Sequence, residues 1–452
     1  MKVSVIGSGY VGLTTGICLA RGKNEVILMD IDEKRVDMLA CGDLPIYEPG
    51  LKDLFNDARE EKKIWYTSSY EAAVKGSDIS FVCVGTPSGP DGSIDKSYVE
   101  KACDSVVRQA IKKKDKHTIV VRSTVVPGTT EEIIGGVRHL YFKGEGRQFP
   151  IFAMHPEHLA EGSAVEDFLK PQKIVVGEDF QKAGDTVLKV YNDANVRGAC
   201  NNAIIHRLSI KGAETEKYDS NIKLAFKVAM SNELANMHDL QGTDYFASMK
   251  AVHADERTGN ARFTIPGIGF GGSCFTKDYK ARIAHVKSLG YNARLLKEVL
   301  ASNYRQPKIV ADAVFDMFLQ PGDKVNLYGV TFKGNTDDLR ETPVLPFMNE
   351  LKRKGVKTIS LTDPWADKAA VEKMFGQKPL RNWKNMPEDA NLFVITSDHD
   401  EYKKDKDFVM MLHAAMYNGS MVFDAKYAFP EEKFPGVGRM YLADEIGGWV
   451  VK

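Results

Sequence analysis

A glycine-rich hexapeptide between an apolar strand and a helix most constrains the fold of this chain. Gly7-Ser8-Gly9-Tyr10-Val11-Gly12 follows a predicted strand at residues 2–6 and opens a predicted helix at residues 10–21. A second predicted strand, residues 25–29, ends at Asp30. Gly-x-Gly-x-x-Gly in a βαβ unit, with an acidic residue about 20 positions further on, is the fingerprint of a dinucleotide-binding fold. The spacing therefore predicts a doubly wound α/β domain at the start of the chain.

Strands and helices alternate through the first 200 residues and again in the last third of the chain. Between these parts, residues 213–240 keep helical apolar spacing without an internal Gly or Pro, which predicts one long helix. The last third has no glycine fingerprint. The further predicted strands are residues 79–84, 118–121, 151–154, 174–176, 324–330, 358–361 and 392–396, and the further helices are 280–289, 293–303 and 342–354.

These elements predict an α/β chain with two Rossmann-like, doubly wound domains joined by a helical central domain with a long connecting helix. We expect parallel sheets, because strands that alternate with helices are connected by crossovers. The expected domains are residues 1–200, 201–305 and 306–452. Long amphipathic helices often form dimer contacts, and burial within one subunit explains the same pattern.

The charge balance argues against two classes of partner. Lys+Arg and Asp+Glu both number 61, so the formal net charge is zero. We therefore expect no broad electrostatic binding of nucleic acid or of an anionic membrane. Residues 1–6 carry no signal-peptide pattern, and no apolar run approaches the roughly 18 to 20 residues of a membrane helix. We accordingly expect a cytoplasmic protein.

One cysteine differs from the rest in its local sequence. Cys274 follows a run of glycines in residues 267–278, GIGFGGSCFTKD, whereas Cys18 and Cys83 are expected to be buried as small hydrophobes. Glycines let the backbone approach a ligand, and a thiol on such a loop can act as a nucleophile. The scattered cysteines include no CxxC pair, so neither a disulfide framework nor a zinc site is predicted. The six are Cys18, Cys41, Cys83, Cys103, Cys200 and Cys274.

The first domain is predicted to bind NAD. A helix N-terminus offers N–H groups to a pyrophosphate, and Asp30 is placed to accept hydrogen bonds from ribose hydroxyls and to repel a 2′-phosphate. Arg35 lies nearby in sequence and softens that preference for NAD over NADP. Two loops that follow strands, at residues 84–87 and 123–128, lie where doubly wound sheets bind ligands. Each of them alone is also explained as a simple turn.

Three further sets of polar residues are candidates for a functional role: a pair of glutamates, the histidines beside them, and a lysine–asparagine pair. Residues 155–162, HPEHLAEG, place Glu157 and Glu161 four apart, which on a helical turn gives one shared face; a solvated helix start is the alternative. The histidines there match no recognised ligand spacing, so no metal site is predicted. Lys217 and Asn221 also stand four apart on the long helix, where a lysine is usually a surface residue.

Taken together, the motifs resemble those of the UDP-glucose/GDP-mannose dehydrogenase family, in the family's order and over nearly the whole chain. They are GSGYVG at 7–12, LPIYEPGL at 44–51, VGTP at 84–87, RSTVVPGT at 122–129, PEHLAEG at 156–162, Lys217-x-x-x-Asn221, GFGGSCFTKD at 269–278 and FKGNTDDLRET at 332–342.

The resemblance implies an NAD-dependent oxidation, in two steps, of the C6 alcohol of a nucleotide sugar to a carboxylate. Cys274 is then expected to hold the aldehyde as a thiohemiacetal and the acid as a thioester. Lys217 and Asn221 match the pair beside the reacting oxygen, and Asp278 matches an acid that orients water. The implied catalytic residues are Cys274, Lys217, Asn221, Asp278, Glu157 for thioester hydrolysis, and Thr124.

The same resemblance implies which residues bind the two ligands. The cofactor is NAD, and its residues are Gly7, Gly9, Tyr10, Val11, Gly12, Asp30, Arg35, Gly85, Thr86, Pro87, Ser123, Thr124, Glu161, Lys277 and Arg340. The substrate residues are Glu157, His158, Leu159, Lys217, Asn221, Arg257, Ile265, Gly269, Phe270, Gly271, Phe332, Lys333 and Lys426. Arg257 resembles an arginine that reaches a neighbouring subunit, so a homodimer or higher homo-oligomer is expected.

The chain departs from the family pattern at four places. His158 stands where a hydrophobic residue is usual, and Asp424-Ala425-Lys426 replaces Asp-x-Arg beside the nucleotide. The interval from Arg257 to Cys274 is one residue longer than usual, so Arg262 competes for the role of Arg257. Residues 398–402, DHDEY, resemble members that oxidise UDP-N-acetylhexosamines. These departures bear on the choice of sugar and of base.

Three interpretations of the function follow from the sequence. The first is oxidation of UDP-glucose, and the second is the same chemistry on a UDP-N-acetylhexosamine or on GDP-mannose. The third is a non-catalytic NAD-sensing binding protein. The joint presence of Cys274, Lys217, Asn221 and Asp278 disfavours the third, because a binding module needs no such set.

Overall fold

The computed structural model describes residues 1–141, 149–194, 203–259 and 261–429. The chain forms two compact units. The first comprises Met1–Ser220 and Lys280–Leu289, and the second comprises Asn221–Tyr279 and the chain from Gly290 onward. The predicted boundary at residue 200 and Cys200 both lie outside the described residues.

An eight-stranded sheet forms the centre of the first unit. Its strand order is β3-β2-β1-β4-β5-β6-β7-β8, and every pair is parallel except β6 with β7. The first six strands follow the order 3-2-1-4-5-6 of a dinucleotide-binding fold. The strands are β1 Lys2–Ile6, β2 Glu25–Met29, β3 Ile64–Thr67, β4 Ile79–Val82, β5 Thr118–Val121, β6 Ile151–Met154, β7 Lys173–Glu178 and β8 Ile204–Leu208.

Helices cover both faces of this sheet. Along β5, Val120 belongs to one apolar cluster, while Ile119 and Val121 belong to the other, because successive side chains of a strand point to opposite faces. Strands β4 and β5 are buried along their whole length, as central parallel strands are. The helices are α1 Tyr10–Ala20, α2 Glu33–Cys41, α3 Leu51–Glu60, α4 Tyr70–Lys75, α5 Ser97–Ala110, α6 Thr129–Tyr141, α7 Ala164–Leu169 and α8 Gln181–Asp193.

The second unit contains a four-stranded, fully parallel sheet in the order β10-β9-β11-β12. Its strands are β9 Lys324–Tyr328, β10 Thr358–Thr362, β11 Leu392–Ile395 and β12 Met421–Asp424. The long helix α9, Ile210–Gln241, passes from the first unit into the second. The later helices are α10 Tyr245–Val252, α11 Phe275–Ser288, α12 Arg294–Phe318, α13 Val344–Arg353, α14 Lys368–Phe375, α15 Asp400–Lys403 and α16 Lys406–Tyr417.

The predicted fold class is confirmed: two doubly wound α/β sheets with a long helix between them in sequence. Two details of the prediction were wrong. The sheet of the first unit is not wholly parallel, because Ala153 and Met154 of β6 pair with β7 in antiparallel register. Helix α12 does not end near residue 303. It continues through Pro307 to Phe318, because its later face, with Val310 and Val314, is buried in the second unit.

Candidate active site

The glycine-rich turn between β1 and α1 has the shape that a pyrophosphate requires. Gly7 has a φ of +98°, which favours glycine. A Cβ on Gly12 would lie 1.8 Å from the carbonyl oxygen of Gly7, so the helix packs directly on the turn. A Cβ on Gly9 would meet no atom within 4 Å, so open space lies against this backbone. These are the three roles that the glycines of a dinucleotide site perform, and the turn therefore fits NAD.

Asp30 is fixed beside this turn at the end of β2. Its Oδ2 accepts a hydrogen bond from the backbone N–H of Ser8 at 2.7 Å and lies 3.3 Å from Nη1 of Arg35. The carboxylate is therefore held where ribose hydroxyls are bound in this fold, with the predicted arginine next to it. Tyr10 and Val11 begin α1, as expected for residues at the phosphate end of the site.

The loops after β4 and β5 extend the cofactor side of the site. Ser123 donates its hydroxyl to the carbonyl of Val84 at 2.7 Å, which joins the two loops. Strands β1, β4 and β5 are neighbours, so their carboxyl ends lie at one edge of the sheet together with the glycine turn. The predicted cofactor residues at these strand ends are Gly85, Thr86, Pro87, Ser123 and Thr124.

A buried ion pair in the first unit joins the long helix α9 to the loop after β6. Nζ of Lys217 on α9 lies 3.3 Å from Oε2 of Glu157, and the two side chains are 5% and 7% exposed. Burial raises the pKa of Glu157, but the positive charges of Lys217 and Arg122 outweigh it, so the pKa lies below the usual value. The structure therefore brings two predicted catalytic residues together and keeps the carboxylate ionised at neutral pH.

A second pair stands directly beside the first. Nε2 of His158 lies 2.9 Å from Oε2 of Glu216, and Glu216 also pairs with Lys173. Burial lowers the pKa of His158 below its usual value, despite the opposing effect of the bond to Glu216. Adjacent residues of the loop thus pair with adjacent residues of α9. The polar residue at position 158 has a polar partner that the sequence did not indicate.

The predicted helical turn through Glu157 and Glu161 was wrong. Residues 155–160 form an irregular loop. Its N–H groups are bound elsewhere: that of His155 to the carbonyl of Val121 at 2.9 Å, and that of Leu159 to the carboxylate of Glu157. The two carboxylates therefore do not share a helix face. Glu161 instead lies close enough to Tyr10 for its charge to raise the pKa of that phenol.

In the second unit, Cys274 is exposed and directly precedes α11. The carbonyl of Cys274 accepts the N–H of Asp278 at 2.9 Å, the first bond of the helix. The positive end of a helix dipole favours an anion at such a position, which suits a nucleophilic thiolate. The glycines before it allow close packing, because a Cβ on Gly272 would lie 2.8 Å from the ring of Phe332.

Asp278 sits one turn into α11 with two donors around it. Nδ2 of Asn221 donates to its Oδ2 at 2.6 Å, and Nζ of Lys277 lies 2.6 Å from its Oδ1. The carboxyl is 1% exposed. The structure thus joins Asn221 and Asp278, and it places the ammonium of Lys277, predicted as a cofactor ligand, on that same carboxylate.

The loop at residues 265–271 is held by an asparagine that the sequence did not reveal. Asn303 of α12 accepts the N–H of Phe270 at 2.8 Å and donates to its carbonyl at 2.9 Å. Gly269 lies against the same Asn303, whereas Gly271 packs against the backbone of Glu341 and the side chain of Phe332. Lys426 donates to the carbonyl of Phe332 at 3.2 Å, and burial lowers its pKa although Asp398 acts in the opposite direction. The lysine that replaces an arginine therefore does reach the Phe332–Lys333 segment.

The remaining predicted substrate residues are less enclosed. Arg257 is 89% exposed and pairs with Asp255 of its own turn, and Arg262 and Ile265 are also exposed. Arg340, which was predicted as a cofactor residue, pairs with Asp338 at 2.8 Å. The segment DHDEY at 398–402 places His399 in the interior of the second unit, 3.2 Å from Asp363.

The predicted burial of Cys18 and Cys83 is confirmed. Cys18 and Cys83 are buried, and burial raises their pKa to about 12, so neither is a reactive thiolate. Among the described residues, no group of three His, Cys, Asp or Glu is placed to hold a metal ion. Within the same ranges, no helix combines the length and apolarity needed to cross a membrane.

Comparison with known proteins agrees with this geometry. Residues 1–195, 211–305 and 326–431 match the NAD-binding, central and UDP-binding domains of the UDP-glucose/GDP-mannose dehydrogenase family. The chain is 34% identical to the UDP-glucose 6-dehydrogenase AglM of Haloferax volcanii, over 93% of this chain and 97% of that protein. It is also 34% identical to the GDP-mannose 6-dehydrogenase of Pseudomonas aeruginosa, over 78% and 79% of the two chains.

A solved UDP-glucose dehydrogenase from the archaeon Pyrobaculum islandicum has the same fold. Its TM-score is 0.82 at 31% identity, covering 96% of this chain and 95% of that one. The fold and the site thus define an NAD-dependent nucleotide-sugar oxidoreductase. The chain belongs to the UDP-glucose/GDP-mannose dehydrogenase family, as its motifs predicted.

Proposed function

We propose that this enzyme oxidises the C6 alcohol of UDP-glucose to the carboxylate of UDP-glucuronate. The observation that carries the proposal is the exposed thiol of Cys274 at the start of α11, in a chain whose first domain binds NAD. The conversion removes four electrons from C6. NAD, when bound, supplies the chemistry for this by accepting one hydride in each of two oxidations.

In the first oxidation the C6 hydroxyl loses a proton while its carbon loses a hydride. The ammonium of Lys217 and the amide of Asn221 stabilise negative charge as it develops on the oxygen. Lys217 is buried and paired with an ionised carboxylate, so its charge acts in a poorly solvated place. Electrostatic stabilisation is strongest there, because little water screens it.

The thiolate of Cys274 then adds to the C6 aldehyde. A carbon–sulfur bond forms, and the carbonyl oxygen takes a proton to give a thiohemiacetal. Loss of a second hydride and of that proton yields a thioester. The covalent bond keeps the aldehyde on the enzyme and divides a difficult oxidation into two steps.

Water finally attacks the thioester carbonyl. The carbon–sulfur bond breaks, the acid leaves, and the thiol of Cys274 is restored. We propose that Asp278 orients this water and that Glu157 accepts its proton, with Thr124 helping to hold it. The lowered pKa of Glu157 keeps its carboxylate unprotonated at the working pH, as a proton acceptor must be, and makes it a weak base.

The nucleotide is proposed to bind the second unit. The match to a UDP-binding domain spans Phe332, Lys333 and Lys426, and the two ammonium groups offer positive charge to a diphosphate. The substrate segment further includes Ile265, Gly269, Phe270 and Gly271, and His158 and Leu159 lie next to Glu157. We propose residues 1–200, 201–305 and 306–452 as cofactor, central and nucleotide-sugar domains.

We also propose a cytoplasmic homodimer. The resemblance to the family carries this proposal, since Arg257 matches an arginine that reaches a neighbouring subunit and Arg262 competes for that role. Both side chains are exposed. A higher homo-oligomer built from such dimers is the alternative.

The deciding experiment counts NADH formed per sugar consumed with UDP-glucose, UDP-GlcNAc, UDP-ManNAc and GDP-mannose in separate reactions. About two NADH with UDP-glucose alone supports the proposed substrate and the four-electron stoichiometry. Formation of about two NADH per molecule of another sugar would keep the mechanism and change the substrate. GDP-mannose is the first competitor, because a GDP-mannose 6-dehydrogenase is also 34% identical to this chain. No NADH with any of the four favours the NAD-sensing protein.

A further inference from the structure

One buried carboxylate, that of Glu48, joins two loops of the first unit that are far apart in sequence. Its Oε1 accepts the N–H of Ala164 at 2.7 Å, and its Oε2 accepts the N–H of Gly162 at 2.7 Å. The same Oε2 accepts the hydroxyl of Tyr10. Glu48 is 5% exposed, and the function proposed above gives it no part.

We propose that Glu48 is a positioning residue for NAD. Its carboxylate holds the glycine-rich turn and the Glu157–Glu161 loop in a fixed position relative to each other. Tyr10 is the first residue of α1, directly after the open backbone of Gly9. Gly162 directly follows Glu161. Moving either end of this bridge therefore moves groups that line the cofactor site. The inference rests on the NAD-binding domain and not on which sugar is oxidised.

The bridge requires an ionised carboxylate. Three donors share its two oxygens, and a protonated acid or a glutamine offers fewer acceptor sites to the same donors. Tyr10 acts as a donor, because burial and then the negative charge of Glu48 raise the pKa of its phenol. The negative charge of the buried Glu48 carboxylate is compensated by hydrogen bonds, because the two backbone N–H groups and the phenol replace the water that burial removes.

Acid should weaken the bridge. Burial raises the pKa of Glu48 above its usual value, against the lowering effect of its bonds to Tyr10, Gly162 and Ala164. The other titratable groups that face it are Glu161, through Tyr10, and the buried thiol of Cys18. Protonation of Glu48 removes an acceptor and frees one donor, so NAD affinity falls as the pH falls through this raised pKa.

The test compares Glu48→Gln and Tyr10→Phe with the wild type by calorimetric titration with NAD and by steady-state kinetics. We expect Glu48→Gln to raise the Kd for NAD about tenfold, and Tyr10→Phe about threefold, as the loss of one or two buried hydrogen bonds predicts. The KM for the nucleotide sugar and kcat should change less than the Kd for NAD. The acid-side loss of NAD affinity should be absent in Glu48→Gln.

Tyr141→Phe is the matched control. Tyr141 donates its hydroxyl to Asp104 in the same unit, so the substitution removes a tyrosine–carboxylate bond that does not touch the cofactor site. Its Kd for NAD should equal that of the wild type. If Glu48→Gln does not fold, Tyr10→Phe carries the test together with the pH dependence of the wild-type Kd for NAD, which should rise as the pH falls through the raised pKa of Glu48.

Two results would overturn the proposal. One is an unchanged Kd for NAD in both variants. The other is a parallel loss of NAD affinity, sugar affinity and unfolding midpoint, which would show that Glu48 only stabilises the fold. Because NAD binding is measured directly, failure of the proposed substrate does not affect the result.

Discussion

Lys217 and Glu157 form an ion pair of 3.3 Å, and both side chains are more than nine-tenths buried. One comes from the long helix α9 and the other from the loop after β6. A buried pair of this kind is weak evidence for stability, because desolvation of the two charges offsets their attraction. The pair lies after the carboxyl end of β6, where ligands bind in this fold, so a role in catalysis explains it better than a contribution to stability.

Lys217→Ala should lower turnover far more than it lowers NAD affinity. Removing a group that stabilises developing charge costs about 10²- to 10³-fold in kcat. The Kd for NAD should stay within about twofold, because the glycine turn and Asp30 are untouched. Lys223→Ala, an exposed lysine on the same helix, is the control and should have wild-type kinetics. Equal losses of turnover and of NAD affinity would contradict the role given to Lys217.

Glu157→Gln should change how stability depends on pH. The folded-state pKa of Glu157 lies below its usual value, so the ionised carboxylate stabilises the native state above the usual glutamate pKa. This contribution is lost as the pH falls through the lowered pKa. The variant leaves Lys217 buried without its partner, at a cost of about 3 kcal/mol near neutral pH.

Urea unfolding of wild type and Glu157→Gln from neutral to acidic pH measures this effect. The difference in unfolding free energy should be largest near neutral pH and should narrow in acid. A difference that does not vary with pH would show that Glu157 is not the titrating partner of Lys217.

Two glycine variants separate cofactor binding from folding. Gly9→Ala places a methyl group in open space, so the unfolding midpoint should not change, while the Kd for NAD should rise about tenfold. Gly12→Ala places a methyl group against the Gly7 carbonyl, so stability and NAD binding should both be lost. Thermal unfolding and NAD titration of both variants check this. Wild-type NAD affinity in Gly9→Ala would mean that the cofactor does not approach that backbone.

Lys426→Ala should weaken nucleotide-sugar binding specifically. The side chain bonds to the carbonyl of Phe332, and its loss removes a positive charge proposed to face the diphosphate. The KM for UDP-glucose should rise about tenfold with little change in the KM for NAD. Lys404→Ala, at an exposed lysine that pairs with Asp400, is the control. A rise in the KM for NAD instead would place Lys426 on the cofactor side.

The parts of the site that are local in sequence were predictable. The strand, the glycine turn and Asp30 follow one another within 30 residues, and their structure is the one that their spacing indicated. Cys274 was singled out by its glycines, and its position directly before α11 fits that interpretation. The resemblance to a family supplied roles that spacing alone did not, such as that of Lys217, which resembles a surface lysine in sequence.

The parts that depend on distant contacts were not predictable. Glu48 meets Tyr10 from 38 positions away, and Asn303 meets Phe270 from 33 positions away. No periodicity records such pairs. The loop at 155–160 was misjudged for a related reason: its N–H groups bond to a neighbouring strand and to a side chain, which spacing of four does not reveal.

The most direct measurement of the central claim is product analysis of Cys274→Ser with UDP-glucose and NAD. The serine hydroxyl is a much weaker nucleophile than a thiolate, so the variant should bind NAD as the wild type does and yet fail to release UDP-glucuronate. The wild type should form about two NADH per sugar in parallel. Full production of the acid by Cys274→Ser, with two NADH per sugar, would contradict the covalent mechanism.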